Sequence, residues 1–165
     1  RERDSPRRFG SDDLRGMGDV RSSAIANLGI GYDFGFMALG VKAELALNHR
    51  ERGNRYAFAA QVPLLADARD NVALFASLDV ADRKNMQTFY GVTGTQSARS
   101  GYRVYTPKAG VEKVGLGVAW NRQLNERWSV RTMAGAFRLT GDAADSPLTK
   151  RKTAPVLFTT LNYRF

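Results

Sequence analysis

The chain closes on a strict alternation of period two. Leu157, Thr159, Leu161, Tyr163 and Phe165 point one way, and Phe158, Thr160, Asn162 and Arg164 point the other. This pattern belongs to a strand with one apolar face, not to a helix, whose apolar residues recur every three or four positions. It occurs six more times. Ala24 to Tyr32, Met37 to Leu47, Tyr56 to Leu64, Val72 to Val80, Val114 to Asn121 and a segment after Arg127 repeat the rhythm. The segment after Arg127 is the least regular, with Trp128, Val130 and Thr132 on one side and Met133, Phe137 and Leu139 on the other. A bulge is expected there.

With their flanking residues the candidate strands are expected to run to about 10–14 residues, longer than the usual five or six and sufficient to cross a bilayer at a tilt of about 45°. Their connections alternate in length. Tyr32 to Phe36, Ala66 to Asp70 and Leu124 to Arg127 are short, whereas His49 to Asn54, Lys84 to Gly110 and Gly141 to Thr153 are longer. Short turns on one side and long loops on the other mark an outer-membrane barrel. The fold expected is therefore an all-β, antiparallel up-and-down transmembrane β-barrel. Seven or eight of its strands are visible in one domain over residues 1–165. A spanning helix is excluded: the best apolar stretch, Ala24 to Val41, is interrupted by Asn27, Asp33 and several glycines.

Lys42, Glu44, Asp79, Asn121, Gln123, Arg131 and Asn162 fall opposite the apolar residues. A soluble lipocalin-like barrel would bury the apolar set and expose these charges, and periodicity alone does not separate the two. Aromatic placement favours lipid. Tyr32, Phe34, Phe36, Trp128, Tyr163 and Phe165 stand beside the short turns, and Tyr56, Phe89, Tyr90, Tyr102 and Tyr105 lie towards the long loops, as in the girdles of membrane barrels. Leu157, Leu161, Tyr163 and Phe165 form the insertion signal of the last strand. Lys42, Glu44, Asp79 and Arg131 are the expected lumen charges, tuning ion passage or, as the preferred reading, forming a network that plugs it.

Other chemistries find little support. Cysteine is absent and His49 is the single histidine, which removes thiolate chemistry, disulfides and His-based clusters. No cofactor or metal is expected, and no catalytic residue. Asp142 and Asp145 offer oxygens to calcium, but a turn stabilised by their side chains and Pro147 accounts for them with fewer assumptions. The 25 Lys and Arg residues are interleaved with 16 Asp and Glu along the whole chain, which argues against nucleic acid as a partner. Lys84, Arg99, Arg103, Lys108, Lys150, Arg151 and Lys152, in or near the loops, are either solvated or aimed at lipopolysaccharide phosphates.

Several motifs resemble the MipA/OmpV outer-membrane proteins. Phe89-Tyr90-Gly91-Val92-Thr93 is followed by Gln96-Ser97-Ala98-Arg99-Ser100-Gly101, Tyr105, Pro107 and Ala109-Gly110. Later come Val114-Gly115-Leu116-Gly117, Leu124-Asn125-Glu126-Arg127-Trp128-Ser129, the run Leu139 to Pro147 that contains Gly141, Asp142 and Asp145, and Tyr163-Arg164-Phe165. Asp13 to Asp19 is similar to an earlier segment of that family, and residues 48–72 carry little family sequence. The resemblance implies a Gram-negative outer-membrane barrel inserted by the barrel-assembly machinery. It also implies a non-enzymatic scaffold that joins a lytic transglycosylase to a penicillin-binding protein, or a surface antigen or adhesin. The alternative use of such a barrel is a small-solute channel.

If Phe165 is periplasmic, counting back makes the first visible strand descend, as the last one does. A barrel with both termini periplasmic has an even strand number. The expectation is therefore that an odd number of strands, with a signal peptide, precedes residue 1. Closure without them would require an eighth strand from residues 1–17, or pairing of the first and seventh strands.

Overall fold

The computed structural model describes residues 14–18, 20 and 22–165. All seven alternating segments are strands: β1 (Ile25–Asp33), β2 (Ala38–Ala46), β3 (Arg55–Ala66), β4 (Asp70–Ala81), β5 (Gly110–Gln123), β6 (Trp128–Leu139) and β7 (Thr153–Tyr163). Each pairs antiparallel with the next, giving one sheet in the order β1-β2-β3-β4-β5-β6-β7. Among the described residues β1 does not pair with β7, and the sheet is open. Most of the candidate eighth strand lies outside the described residues; within them, Leu14 to Met17 form a turn closed by the Met17 amide on the Leu14 carbonyl at 3.1 Å.

The register carries the signature of a barrel wall. One row of paired residues runs Ile30, Val41, Phe58, Leu78, Val114, Arg138, Thr153. It begins five residues inside β1 and reaches the first residue of β7. A second row, Asp33, Ala38, Gln61, Phe75, Gly117, Gly135, Val156, leaves the end of β1 and stops seven residues short of the end of β7. At about 3.3 Å per residue and about 4.8 Å between strands, this stagger over six strand steps corresponds to a tilt of about 30–40°. Barrel strands tilt by about 35–45°.

Turn chemistry fixes the short connections. The Asp33 carboxylate accepts the Gly35 amide at 2.7 Å, and Gly35 takes the left-handed φ of 85° that the tight β1–β2 turn requires. Asp67 accepts the amides of Asp70 at 2.7 Å and Arg69 at 2.8 Å. Asn125 accepts those of Arg127 and Trp128, both at 2.9 Å.

The expected bulge in β6 is not found. β6 keeps an unbroken register with both neighbours, because its large inward side chains Met133 and Phe137 face the small residues Ala119 and Gly115. Register shifts occur instead between Pro63 and Leu65, where proline lacks an amide for the ladder, and beside Asp79 and Val80, where Glu112 is the extra residue of β5. Close approach explains two strand glycines. A Cβ on Gly117 would lie 2.5 Å from the Ala134 carbonyl oxygen, and one on Gly135 would lie 2.5 Å from that of Leu116.

The long connections fold into a cap. Helix α1 (Arg83–Tyr90) and helix α2 (Gly94–Ser100) occupy the β4–β5 loop, and the short helix α3 (Gly141–Asp145) the β6–β7 loop. No apolar periodicity marks these helices in the sequence, where they fall within the long connections. Met86 of α1, Ala143 of α3 and Ala81 of β4 make a buried apolar cluster against Tyr90 and Leu139. Val92 and Pro107 are buried in the β4–β5 loop, and Met17, which precedes β1 and meets α2 through Gln96, is buried as well.

Candidate functional site

Among the described residues, nothing covers the apolar face of the sheet. Leu39 is 42% exposed, Leu116 and Leu161 are 58% exposed, and Leu157 is 77% exposed. Leu28, Ile30, Leu64 and Leu74 are exposed as well. The buried apolar side chains among the described residues belong mainly to the cap instead. A soluble one-domain sheet of this size would bury one face against something. This one leaves the face richest in Leu, Val and Phe open, in an orientation that suits lipid.

Its turn rim is aromatic. Tyr32 meets Phe34 edge-on with centroids 4.6 Å apart, and Phe34 meets Phe36 at 6.2 Å. Trp128 and Tyr163 lie at 4.8 Å, and Tyr163 and Phe165 edge-on at 5.0 Å. Trp120 joins this rim, its indole N–H donating to Asp70 at 2.8 Å. The sequence hid it inside a strand; only the register puts it beside Val72 at the turn end. Towards the loops, Tyr56 remains on the apolar face and is 38% exposed. Phe89, Tyr90, Tyr102 and Tyr105 do not: α1 and the loop after α2 draw them into the cap, where Arg52 stacks on Phe89, Lys150 on Tyr102 and Arg103 on Tyr105.

Charged side chains on the apolar face of the strands stand only at its limits. Asp70 and Arg122 pair at 3.5 Å on the turn side, and Arg138 is exposed on the loop side. Arg122 is in register with Val130, eight residues from Arg138 along β6. Eight residues span about 26 Å along the strand, or about 20 Å along the normal at the tilt above, close to the apolar band of about 25 Å in membrane barrels.

The polar face carries an ion-pair network at its loop end. Glu44 receives Lys42 and Arg55, each at 2.8 Å. Arg55 also faces Glu112 at 3.7 Å, and Glu112 accepts the Tyr90 hydroxyl at 2.7 Å. Asp79 pairs with Lys113 at 2.8 Å. The network thus contains Lys42, Glu44 and Asp79 but not Arg131. Arg131 pairs in register with Asn121 and Thr160, eight residues down β6 from Leu139, the partner of Lys113. Arg55, Glu112, Lys113 and Tyr90 replace it. The bulge at Glu112 turns its carboxylate towards Arg55 and Tyr90, and the alternation that begins at Val114 gives no sign of it. Beside the network, polar face and cap line an open cavity of about 690 Å³ bordered by Arg55, Tyr90, Glu112, Phe137 and the Lys150–Lys152 segment.

The motif residues of the loops hold the cap together. Gln96 and Thr93 form a capping box on α2, and Gln96 also donates to the Met17 carbonyl at 2.7 Å. Gly101 ends α2 in the left-handed region, its amide bonded to the Ser97 carbonyl. Pro107 is fully buried. Gly141 opens α3 at φ 48°; the Asp142 carboxylate accepts the Lys108 amide at 2.7 Å, and its carbonyl accepts the Tyr105 hydroxyl at 2.9 Å. Burial, with Asp142 and Asp145 nearby, raises the Tyr105 phenol above its ordinary value, so it stays a donor. Asp145 pairs with Lys152 at 3.1 Å. Pro147 follows Ser146, whose hydroxyl donates to the Tyr90 carbonyl at 2.6 Å and so ties α3 to α1. His49 is a turn residue, left-handed at φ 48°, leading into the 3-10 turn Arg50–Arg52.

A staggered antiparallel meander with an uncovered apolar face and loops gathered into a cap at one end defines an all-β protein of the up-and-down, barrel-like class. The chain belongs to the family of the MltA-interacting protein MipA, which it matches over residues 3–165. No curated protein and no solved structure matches it.

Proposed function

We propose that this protein is an outer-membrane β-barrel of the MipA type that serves, without catalysis, as a scaffold for a murein-cleaving lytic transglycosylase. The observation that carries the membrane half is the apolar face: Leu116, Leu157 and Leu161 are exposed between an aromatic turn rim and a charged loop rim. The family name, which ties its members to MltA, supports the scaffold half. With short turns on the periplasmic side, the surface offered to a murein enzyme consists of the Phe34–Met37, Asp67–Arg69 and Leu124–Arg127 turns. The Glu44–Arg55–Glu112–Tyr90 network crosses the polar face under the cap and favours a plugged interior over a solute channel.

Two measurements on the protein reconstituted in vesicles test this reading. Saturable binding of a purified membrane-bound lytic transglycosylase, without single-channel steps in planar bilayers, is the expected result. Steady conductance steps with no binding of the transglycosylase would replace the scaffold by a channel.

A further inference from the structure

Basic residues are interleaved with acids along the sequence, but the meander sorts them in space. The loops 47–54, 82–109 and 140–152, all at one end of the sheet, hold ten Lys and Arg against four Asp and Glu; the turns 34–37, 67–69 and 124–127 at the other end hold two of each. The loop excess of six compares with a net charge of +9 for the whole chain. The loop end therefore attracts polyanions.

Arg138 narrows the kind of polyanion. It is exposed on the apolar face, in register with Val114 and Thr153, with Ala136 and Pro155 paired two residues nearer the membrane centre. It has no hydrogen-bond or ion-pair partner among the described residues, whereas the charges at the opposite rim, Asp70 and Arg122, satisfy each other. A soluble polyanion reaching the loops would leave an arginine above an apolar strip without a counter-ion. An amphiphile with acyl chains on the strip and an anionic head above it would not. We propose that the loop-end rim binds the phosphate headgroup of lipopolysaccharide's lipid A, with Arg138 as the direct contact and the exposed loop cations Lys84, Arg99 and Arg151 supplying the surrounding field. This inference rests on the outer-membrane reading and adds the leaflet lipid to it. The bond is a charge-assisted guanidinium–phosphate pair.

The test uses the full chain folded in zwitterionic micelles, with fluorescent lipid A as the probe and anisotropy as the readout. Bis-phosphorylated lipid A should bind about tenfold or more tightly than its dephosphorylated form, and Arg138→Gln should remove about the same factor, as expected for a hydrogen bond between charged groups. Arg138→Lys should keep part of the affinity, and Arg127→Gln, at the turn end, all of it. Equal affinity for the two lipid forms, no effect of Arg138→Gln, or displacement of lipid A by an equal concentration of duplex DNA would overturn the proposal. Heat-modifiable insertion of the same preparation into phosphatidylcholine vesicles separates the two failures. Insertion without phosphate discrimination defeats this inference alone, and no insertion into any vesicle defeats the membrane reading together with it.

Discussion

Leu116 and Val104 offer a matched pair. Leu116 lies on the apolar face of β5 between Ala76 and Ala136 and is 58% exposed. Val104 lies in the loop before β5 and is 56% exposed. If water bathed both, replacing either by Arg would change stability by no more than about 0.5 kcal/mol, as for ordinary surface positions. If lipid bathes the strand face, Leu116→Arg puts a guanidinium inside the apolar band, two residues from the Arg138 rim, where such a charge costs about 2 kcal/mol, between the midplane and interface values. Val104→Arg still costs about 0.5 kcal/mol or less. Equilibrium unfolding in phosphatidylcholine vesicles, followed by tryptophan fluorescence across a guanidinium series, measures both. The expected result is a gap of about 1.5 kcal/mol between two equally exposed sites, a factor of about 10 in the folding constant. Indistinguishable unfolding midpoints for Leu116→Arg and Val104→Arg would refute the reasoning.

Three further outcomes follow from the geometry. The Asp70 amide and then the Arg69 amide hold the Asp67 carboxylate below its usual range. Its contribution to stability is therefore full above the unfolded carboxylate pKa of about 4 and is lost as pH falls through the lower folded value, and Asp67→Asn should flatten the loss seen in acid unfolding curves. Arg55→Met removes a partner from Glu44 and from the buried Glu112 and should destabilise by about 1–3 kcal/mol, with Glu112→Gln in the same chain recovering part of it in a double-mutant cycle. Gly135→Ala forces a Cβ against the Leu116 carbonyl and should lower stability by about 1–3 kcal/mol, whereas Gly94→Ala, with open space around the position, should leave the unfolding midpoint unchanged or slightly raised.

The strands were legible because their side chains answer to two environments at once, which writes a period of two into the sequence; all seven segments and the alternation of short and long connections could be read from it. Their ends were less so. β5 begins at Gly110, four residues before its first clean apolar position, because the bulge at Glu112 breaks the alternation. The loop helices were missed for a different reason. α1 reads Arg-Lys-Asn-Met-Gln-Thr-Phe-Tyr and buries only Asn85 and Met86, too little apolar surface to mark a face. Even so, Asp82 before α1 and Thr93 with Gln96 at α2 were available as start signals. Within the polar network, Lys42 and Glu44 could be paired from their spacing on one strand. Arg55 and Glu112 needed the register, and the exclusion of Arg131 needed it equally. The gathering of basic loops at one end was invisible in a linear count of interleaved charges, since it arises only when every second connection is folded to the same side.

The most direct test of a lipid-coated strand face uses the absence of cysteine, which makes any introduced thiol a unique labelling site. Single nitroxides at positions 28, 74, 116 and 161, on four strands of the apolar face, and at 104 in the loop, would be compared in vesicles for collision with oxygen and with a water-soluble nickel chelate. Strand labels open to oxygen and shielded from nickel, with the label at 104 the reverse, are the expected result. Nickel reaching the strand labels as freely as the label at 104 would contradict it.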